Sequence, residues 1–97
     1  MKKRVGAPWM PAVEYGRALA GFGVNLLVKE IDPAVEFART VLQAEVVYAD
    51  PDFAVLRRQD MEWMLHADHA YDGHPLIDYL RPQAARGLGV ELRIHGL

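Results

Sequence analysis

The sequence predicts an α+β domain whose core is a strand, a helix and then three further strands. Two observations predict this order. Apolar residues alternate from Gly23 to Lys29, as in a strand, and then recur at helical spacing after Asp32. Between Glu45 and Ala67 three short runs of strand-forming residues follow, separated by residues that favour turns. We call this predicted unit, residues 23–67, the βαβββ module.

The first strand of the module covers about Gly23 to Lys29. Its alternation sends two sets of side chains to opposite faces: Val24, Leu26 and Val28 to one, and Asn25 and Leu27 to the other. We expect the first set to lie under the helix. Asn25 then points to the open face of the sheet.

The helix is predicted to begin at Asp32, whose carboxylate suits the N-cap. Pro33 follows at the first helical position, where its missing N–H costs nothing. One side of the helix collects the apolar residues Val35, Ala38, Val41 and Leu42. We expect this side to pack on the sheet.

Three strands complete the module: Glu45 to Ala49, Phe53 to Arg58 and Met61 to Ala67. Asp50-Pro51-Asp52 and Gln59-Asp60 form the predicted turns between them. In the last strand, the helix-facing set is Met61, Trp63 and Leu65, and the open-face set is Glu62, Met64 and His66. A carboxylate and an imidazole are therefore expected on the open face.

The opening stretch of the module returns near the end of the chain. Gly21, Gly23, Val24 and Leu26 recur at a constant offset as Gly87, Gly89, Val90 and Leu92. Such a repeat indicates a duplicated unit. We therefore predict a loop over residues 68–86 and, over residues 87–97, the first strand of an incomplete second module. On this hypothesis the chain is truncated where the second helix should begin.

Residues 1–22 are predicted to form an N-terminal arm, because Pro8 and Pro11 favour an extended or turning path. Trp9 and Tyr15 are its expected anchors, against the chain's own core or a partner chain. Contact with a ligand is the alternative.

Composition excludes several functions. The 97 residues carry a net charge of −2, so the chain lacks the basic footprint of a nucleic-acid-binding protein. It has no cysteine, which excludes disulfides, thiolate metal sites and thiol nucleophiles. No apolar run approaches the ~20 residues of a membrane span, and no signal-peptide core follows Met1-Lys2-Lys3-Arg4. We predict a cytoplasmic protein without a membrane or nucleic-acid partner.

These residues resemble the vicinal-oxygen-chelate superfamily, which contains glyoxalase I, the bleomycin- and fosfomycin-resistance proteins and the extradiol dioxygenases. The resemblance covers about Gly21 to Leu97 and rests on the strand Val24-Asn25-Leu26-Leu27-Val28, the Asp32-Pro33 helix start, the helix to Leu42 and the turn onto Ala44-Glu45-Val46-Val47. It implies a mixed, curved sheet that forms half of a cup. In this family two modules complete the cup, within one chain or between two, and many members hold a divalent metal ion there.

The family's metal ligands do not carry over completely. Metal-binding relatives commonly place His or Gln near the start of each module's first strand, where this chain has Gly23 and Gly89. Glycine has no side chain to bind a metal. The family's carboxylate ligand on the fourth strand corresponds best to Glu62. The resemblance thus implies either a member without the usual ligands, like the bleomycin-binding branch, or one that uses others, with Glu62 and His66 as candidates.

Further polar residues follow the fourth strand. His66, Asp68, His69 and His74 crowd its end and the next loop. Imidazole and carboxylate groups suit zinc, iron, nickel or manganese, and a neutral imidazole suits proton transfer. Three interpretations of these residues stay open: a metal site, a polar-ligand or proton-transfer site, and hydrogen bonds that only hold the loop.

The predicted fifth strand, Gly89 to His95, adds three polar groups to the open face: Glu91, Arg93 and His95. Glu91 corresponds by repeat to Asn25. Arg93 could bind an anionic ligand, since a guanidinium offers paired donors; the alternative is a surface arginine or a partner for Glu91. We expect Glu62, His66 and Glu91 to line one concave surface with Asn25 near its centre.

Two functions follow. The favoured one is a non-catalytic protein that binds a small organic molecule in the cup, using aromatic residues such as Tyr48, Phe53 and Trp63. The other is a metal-dependent lyase, isomerase or dioxygenase. The expected cofactor is accordingly none, or one divalent metal ion. Because Val90, Leu92 and Ile94 have no helix of their own to cover them, we also predict a homodimer or higher assembly.

Overall fold

The computed structural model describes residues 1–96, so Leu97, the last residue of the predicted second module, lies outside the described residues. In chain order the elements are α1 (Ala12–Ala18), β1 (Asn25–Val28), α2 (Ile31–Thr40), β2 (Glu45–Ala49), β3 (Phe53–Arg58), β4 (Met61–Ala67), a 3-10 helix (Asp68–Ala70) and α3 (Ile77–Leu80). The strand, helix, strand, strand, strand order of the predicted module is confirmed.

The four strands form one mixed, curved and unclosed sheet in the order β1-β4-β3-β2. β1 runs parallel to β4, with Leu26 opposite Leu65, and the other pairs are antiparallel. The parallel pair requires a crossover connection, which α2 begins on one face of the sheet. The α+β class and the mixed sheet predicted from the sequence are therefore confirmed.

Helix α2 covers that face and closes the core. Its buried residues Ile31 and Ala38, with Leu42 just after it, pack against a layer from the sheet: Ala54, Leu56, Trp63, Leu65 and Ala67. Val24, Leu26 and Val28 pack at the margin of the same cluster, as their alternation predicted. Met61, at the start of β4, is exposed despite its helix-side position in the alternation.

Both ends of α2 differ from the prediction. The N-cap is Glu30 and the first helical residue is Ile31, each two residues before the predicted N-cap Asp32 and first helical residue Pro33. Burial of the Ile31 side chain in the core accounts for the earlier start. Asp32 instead lies in the first turn, where a carboxylate stabilises the unpaired N–H groups. At the other end Val41, predicted to be buried, is the C-cap and 54% exposed.

The reason for the exposure of Val41 lies in how the helix ends. The N–H of Leu42 donates to the carbonyl of Phe37 at 3.4 Å, and that of Ala44 to the carbonyl of Ala38 at 3.0 Å. These wider turns, together with a positive φ of 55° at Gln43, rotate the chain away from the regular helix. Leu42 is thereby directed into the core and Val41 away from it.

The N-terminal arm crosses the sheet face opposite α2. Tyr15 of α1 is buried, and Trp9 stacks on Tyr48 of β2 with ring centroids 5.1 Å apart. The expectation that these two residues anchor the arm against the chain's own core is confirmed. The face predicted to be open is therefore partly covered by the arm.

Residues 68–86 contain two short helices where the sequence predicted only a loop. The buried carboxylate of Asp68 accepts two hydrogen bonds from the guanidinium of Arg86, one of them 2.6 Å long. Arg86 lowers the pKa of Asp68 through these bonds. This bidentate pair fastens residue 86 to the end of β4.

The prediction of a fifth strand from Gly89 to His95 is wrong, because the described residues 87–96 contain no strand. Gly87 and Gly89 have positive φ values of 74° and 84°, and the N–H of Val90 donates to the carbonyl of Gly87 in a turn. A strand is stabilised by pairing with a neighbouring backbone, and this segment is in no sheet with β1–β4.

The buried core makes a direct prediction about stability. Leu56, with no exposed surface in the centre of the sheet, should cost about 2–5 kcal/mol of unfolding free energy when changed to alanine, because the cavity left cannot close fully. Leu88→Ala, the same change at a fully exposed position, should alter it by less than about 0.5 kcal/mol. Equilibrium unfolding in urea measures both, and equal losses would contradict this core.

Candidate functional site

A cavity of about 570 Å³ lies on the arm side of the sheet. The arm forms one wall, β2, β3 and β4 form the floor, and Tyr71 closes one end. Asn25 at the start of β1 also reaches it. The polar and charged lining residues are Lys2, Arg4, Tyr15, Asn25, Tyr48, Asp50, Asp52, His66 and Tyr71. Most of the exposed surface of the cavity is nevertheless apolar, because the rings and aliphatic parts of the lining residues supply it.

Seven rings form a continuous run, in the order Tyr48, Trp9, Tyr15, Phe53, His66, Tyr71 and His74, and the first six of them line the cavity. We call this run the aromatic chain. Its members are parts of the arm, the sheet and the loop after β4. The closest neighbours are His66 and Tyr71, with centroids 4.5 Å apart, and the widest are Tyr15 and Phe53, at 6.0 Å. Rings at these separations attract one another edge to face or offset.

Tyr15 binds the arm to the sheet through Glu62. Its hydroxyl donates to Glu62 Oε2 at 3.0 Å, and the other carboxylate oxygen accepts from the Arg57 guanidinium at 2.8 Å. Burial, followed by the hydrogen bond to Glu62, raises the pKa of Tyr15 to about 12. The hydroxyl therefore stays protonated and remains a donor. Glu62, the predicted family carboxylate, is occupied by these two partners.

A second anchor of the arm is Asp52, which is 1% exposed at the turn between β2 and β3. Its carboxylate accepts the N–H groups of Lys3 at 2.7 Å and Arg4 at 3.1 Å. His69 Nε2 lies 2.8 Å from Asp52 Oδ1. Burial alone would raise the pKa of Asp52, but these donors outweigh it and hold the pKa at about 2. Asp52 thus stays charged while joining three segments.

His66 is the predicted site residue that the structure places in the cavity wall, on the face that the alternation assigned to it. It lies between Phe53 and Tyr71 in the aromatic chain. Burial, and then the charge of Lys2, lowers the pKa of His66. The imidazole is therefore neutral near pH 7, when it can both donate and accept a hydrogen bond.

The remaining candidates are dispersed. Asn25 reaches the cavity, whereas His69 is held by Asp52 and His74 Nδ1 accepts the N–H of Leu76 at 3.0 Å. Glu91 and Arg93 are exposed and lie 3.8 Å from each other. The expectation that Glu91 shares the concave surface with His66 is wrong, because residues 87–96 do not continue the sheet. Gly23 is near the cavity, with Met64 and Leu19 as neighbours, and Gly89 lies in the turn at the end of the chain.

Glu62 and His66 do not converge on one point. They are four residues apart on the same face of β4, so their Cα atoms are about 13 Å apart and Met64 lies between them. Among residues 1–96 no three His, Asp or Glu side chains are grouped closely enough to hold a metal ion. Glu62 is therefore paired with Arg57, whereas His66 is a separate hydrogen-bonding group in the cavity wall.

Sequence reasoning missed three contributors to the site. Asp52 was interpreted only as a turn residue, Tyr71 was not singled out, and the arm was not expected to form a cavity wall. One local signal was present for the turn, since Asp50 Oδ1 accepts the N–H groups of Asp52 and Phe53, as aspartates in turns commonly do. The contacts of Asp52 with the arm have no local signal.

Fold and cavity together define a small α+β domain of βαβββ order with a ligand-sized cavity on one sheet face. Comparison of the chain with family models, with curated proteins and with solved structures finds no match. Within residues 1–96 no helix is long and apolar enough to cross a membrane.

The Asp52 anchor predicts a specific loss of stability in acid. Because its folded pKa is below the ordinary 3.8, its contribution is fully present above about pH 4 and is lost as the pH falls towards 2. The shift corresponds to about 2 kcal/mol. Asp52→Asn should therefore reduce the difference in unfolding free energy between pH 5 and pH 2 by about that amount, measured in urea.

The control is Asp60→Asn, which changes an exposed aspartate in the turn between β3 and β4. It removes the same charge and should leave the acid dependence of the native protein almost unchanged. If the two variants respond to acid alike, the anchor role of Asp52 is wrong.

Proposed function

We propose that this chain is a non-catalytic binding protein of the vicinal-oxygen-chelate type, which holds a small organic molecule on the sheet face opposite α2. One observation carries the proposal: the cavity of about 570 Å³ bordered by the aromatic chain. Its size and its apolar surface with a few directed polar groups are typical of small-molecule sites. The resemblance in sequence and the confirmed βαβββ order support the family assignment.

Two further features favour binding over catalysis. Glycine stands at both positions where metal-binding relatives carry a first-strand ligand, Gly23 and Gly89. The carboxylate of Glu62 is already hydrogen-bonded to Tyr15 and Arg57, so it has little capacity left for a metal ion. The neutral imidazole of His66 can then orient a polar group of the ligand.

We propose a second copy of the chain as the protein partner. On the α2 side, an apolar groove of about 500 Å³ is lined by Phe37, Trp63, Val90 and Leu92, among others. Phe37, Val90 and Leu92 are exposed. Covering three such side chains is worth on the order of 4 to 9 kcal/mol, and β1 and β2 are free edges of the sheet that favour pairing. The cysteine-free composition supports a cytoplasmic location for the assembly.

Binding is tested with N-phenyl-1-naphthylamine, a neutral fluorescent aromatic compound. The native protein should bind it with an increase in emission. Tyr71→Ala, which removes a ring from the cavity wall, should weaken binding about tenfold because ring contacts and buried area are lost. Tyr79→Ala removes the same side chain from an exposed position in α3 and should change the dissociation constant by less than about twofold.

Two results would contradict the binding proposal. One is equal weakening by the two tyrosine variants, or no binding to the native protein. The other is stoichiometric zinc, iron, manganese or nickel in the purified protein that is lost in His66→Ala. That result would favour the alternative, a metal-dependent lyase, isomerase or dioxygenase.

Assembly is tested by sedimentation at micromolar concentration, where we expect a dimer. Leu92→Glu places a charge on the apolar groove and should shift the protein to a monomer, because burying an unpaired carboxylate is costly. Leu76→Glu makes the same change at another exposed leucine outside the groove and should leave the dimer intact. A native protein that sediments as a monomer would rule out the self-association.

A further inference from the structure

The charged groups of the cavity suggest the chemical class of its ligand. Four charged side chains line it: Lys2, Arg4, Asp50 and Asp52. Their charges cancel in number, so the net charge by itself selects no ligand. The acidic and the basic groups differ in how completely each is already paired within the protein.

Both carboxylates are saturated. Asp50 Oδ1 accepts the N–H groups of Asp52 and Phe53, at 2.7 and 2.9 Å, and its Oδ2 accepts the hydroxyl of Tyr48. Asp52 accepts two N–H groups of the arm and lies within 2.8 Å of His69 Nε2. A ligand cation would have to compete with these fixed donors.

The two cations are paired less completely. The nearest guanidinium nitrogen of Arg4 lies 3.6 Å from Asp52, beyond hydrogen-bond distance. Arg4 Nε is buried and has no acceptor among the described residues. The Lys2 side chain is exposed, and within residues 1–96 its ammonium has no carboxylate or hydrogen-bond partner. Neither cation is hydrogen-bonded to a carboxylate, so both can interact with a ligand anion in the cavity that they line.

Lys2 also lies near the aromatic chain. It lines the same cavity as His66, and its charge adds, after burial, to the lowering of the pKa of His66. A neutral His66 adds no competing charge near pH 7. The cavity lining therefore combines two cations, Lys2 and Arg4, with an aromatic wall.

We propose that the ligand is an aromatic monocarboxylate, with its carboxylate between Lys2 and Arg4 and its ring against Phe53, His66 and Tyr71. The inference deepens the proposed function and rests on it, since it assigns the class of small molecule that the same cavity binds. Charge-assisted hydrogen bonds from the two cations supply the selection for an anion. The aromatic chain supplies the selection for a planar ring.

The test compares 2-naphthoate with 2-naphthamide, which has the same ring system without the charge. Titration calorimetry of the full chain should show naphthoate binding about tenfold more tightly than the amide, with the preference decreasing as salt increases. Lys2→Gln should reduce this preference to about twofold. Lys3→Gln lowers the net charge equally but removes a side chain that is not part of the cavity lining, so it should preserve the preference.

The outcomes separate the two proposals. Equal affinity of the native protein for naphthoate and naphthamide would overturn the anion assignment and leave the binding function standing. Equal loss of preference in Lys2→Gln and Lys3→Gln would overturn it too, because the effect would then come from overall charge. If the native protein binds neither naphthyl compound nor N-phenyl-1-naphthylamine, both the proposed binding function and the proposed ligand class are wrong.

Discussion

The buried carboxylate of Asp52 is the interaction on which the arrangement of this chain depends. The carboxylate receives hydrogen bonds from the arm and pairs with His69 after β4. The backbone carbonyl of Asp52 also accepts the N–H of Ala67 at 2.9 Å. A carboxylate at this depth is tolerated only when donors surround it. Because the arm is a wall of the cavity, these hydrogen bonds, together with the one from Tyr15 to Glu62, hold the shape of the cavity.

The two faces of the sheet have different chemistry because side chains alternate along each strand. One face is aliphatic apart from Trp63, packs under α2 and supplies the stability of the domain. The other carries Tyr48, Phe53 and His66, whose rings pack less densely and leave space beside the arm. The aliphatic core and the candidate ligand cavity thus lie on opposite sides of a single layer of backbone. A substitution on one face can be interpreted without assuming damage to the other.

Much of the fold could be predicted from the sequence, and less of the site. Alternation assigned Leu65 to the helix side and His66 to the cavity correctly, since period-two patterns follow directly from strand geometry. The start of α2 was off by two residues because core packing of Ile31 outweighed the capping preference of Asp32. Glu62 and His69 were predicted to bind a ligand, and the structure shows them hydrogen-bonded to Tyr15 and to Asp52.

By itself the sequence determined the order of the elements from β1 to β4, the side of the sheet on which the residues of these strands lie and the type of chemistry excluded by the missing cysteines. Only the tertiary structure decided that the arm covers the second face, that Asp52 anchors it, and that residues 87–96 form no strand of the sheet. The physical reason is the separation along the chain of the residues that interact. Alternation and capping act between near neighbours, whereas the Lys3 and Asp52 contact joins positions 49 residues apart, and no local pattern specifies which distant donor a buried carboxylate meets.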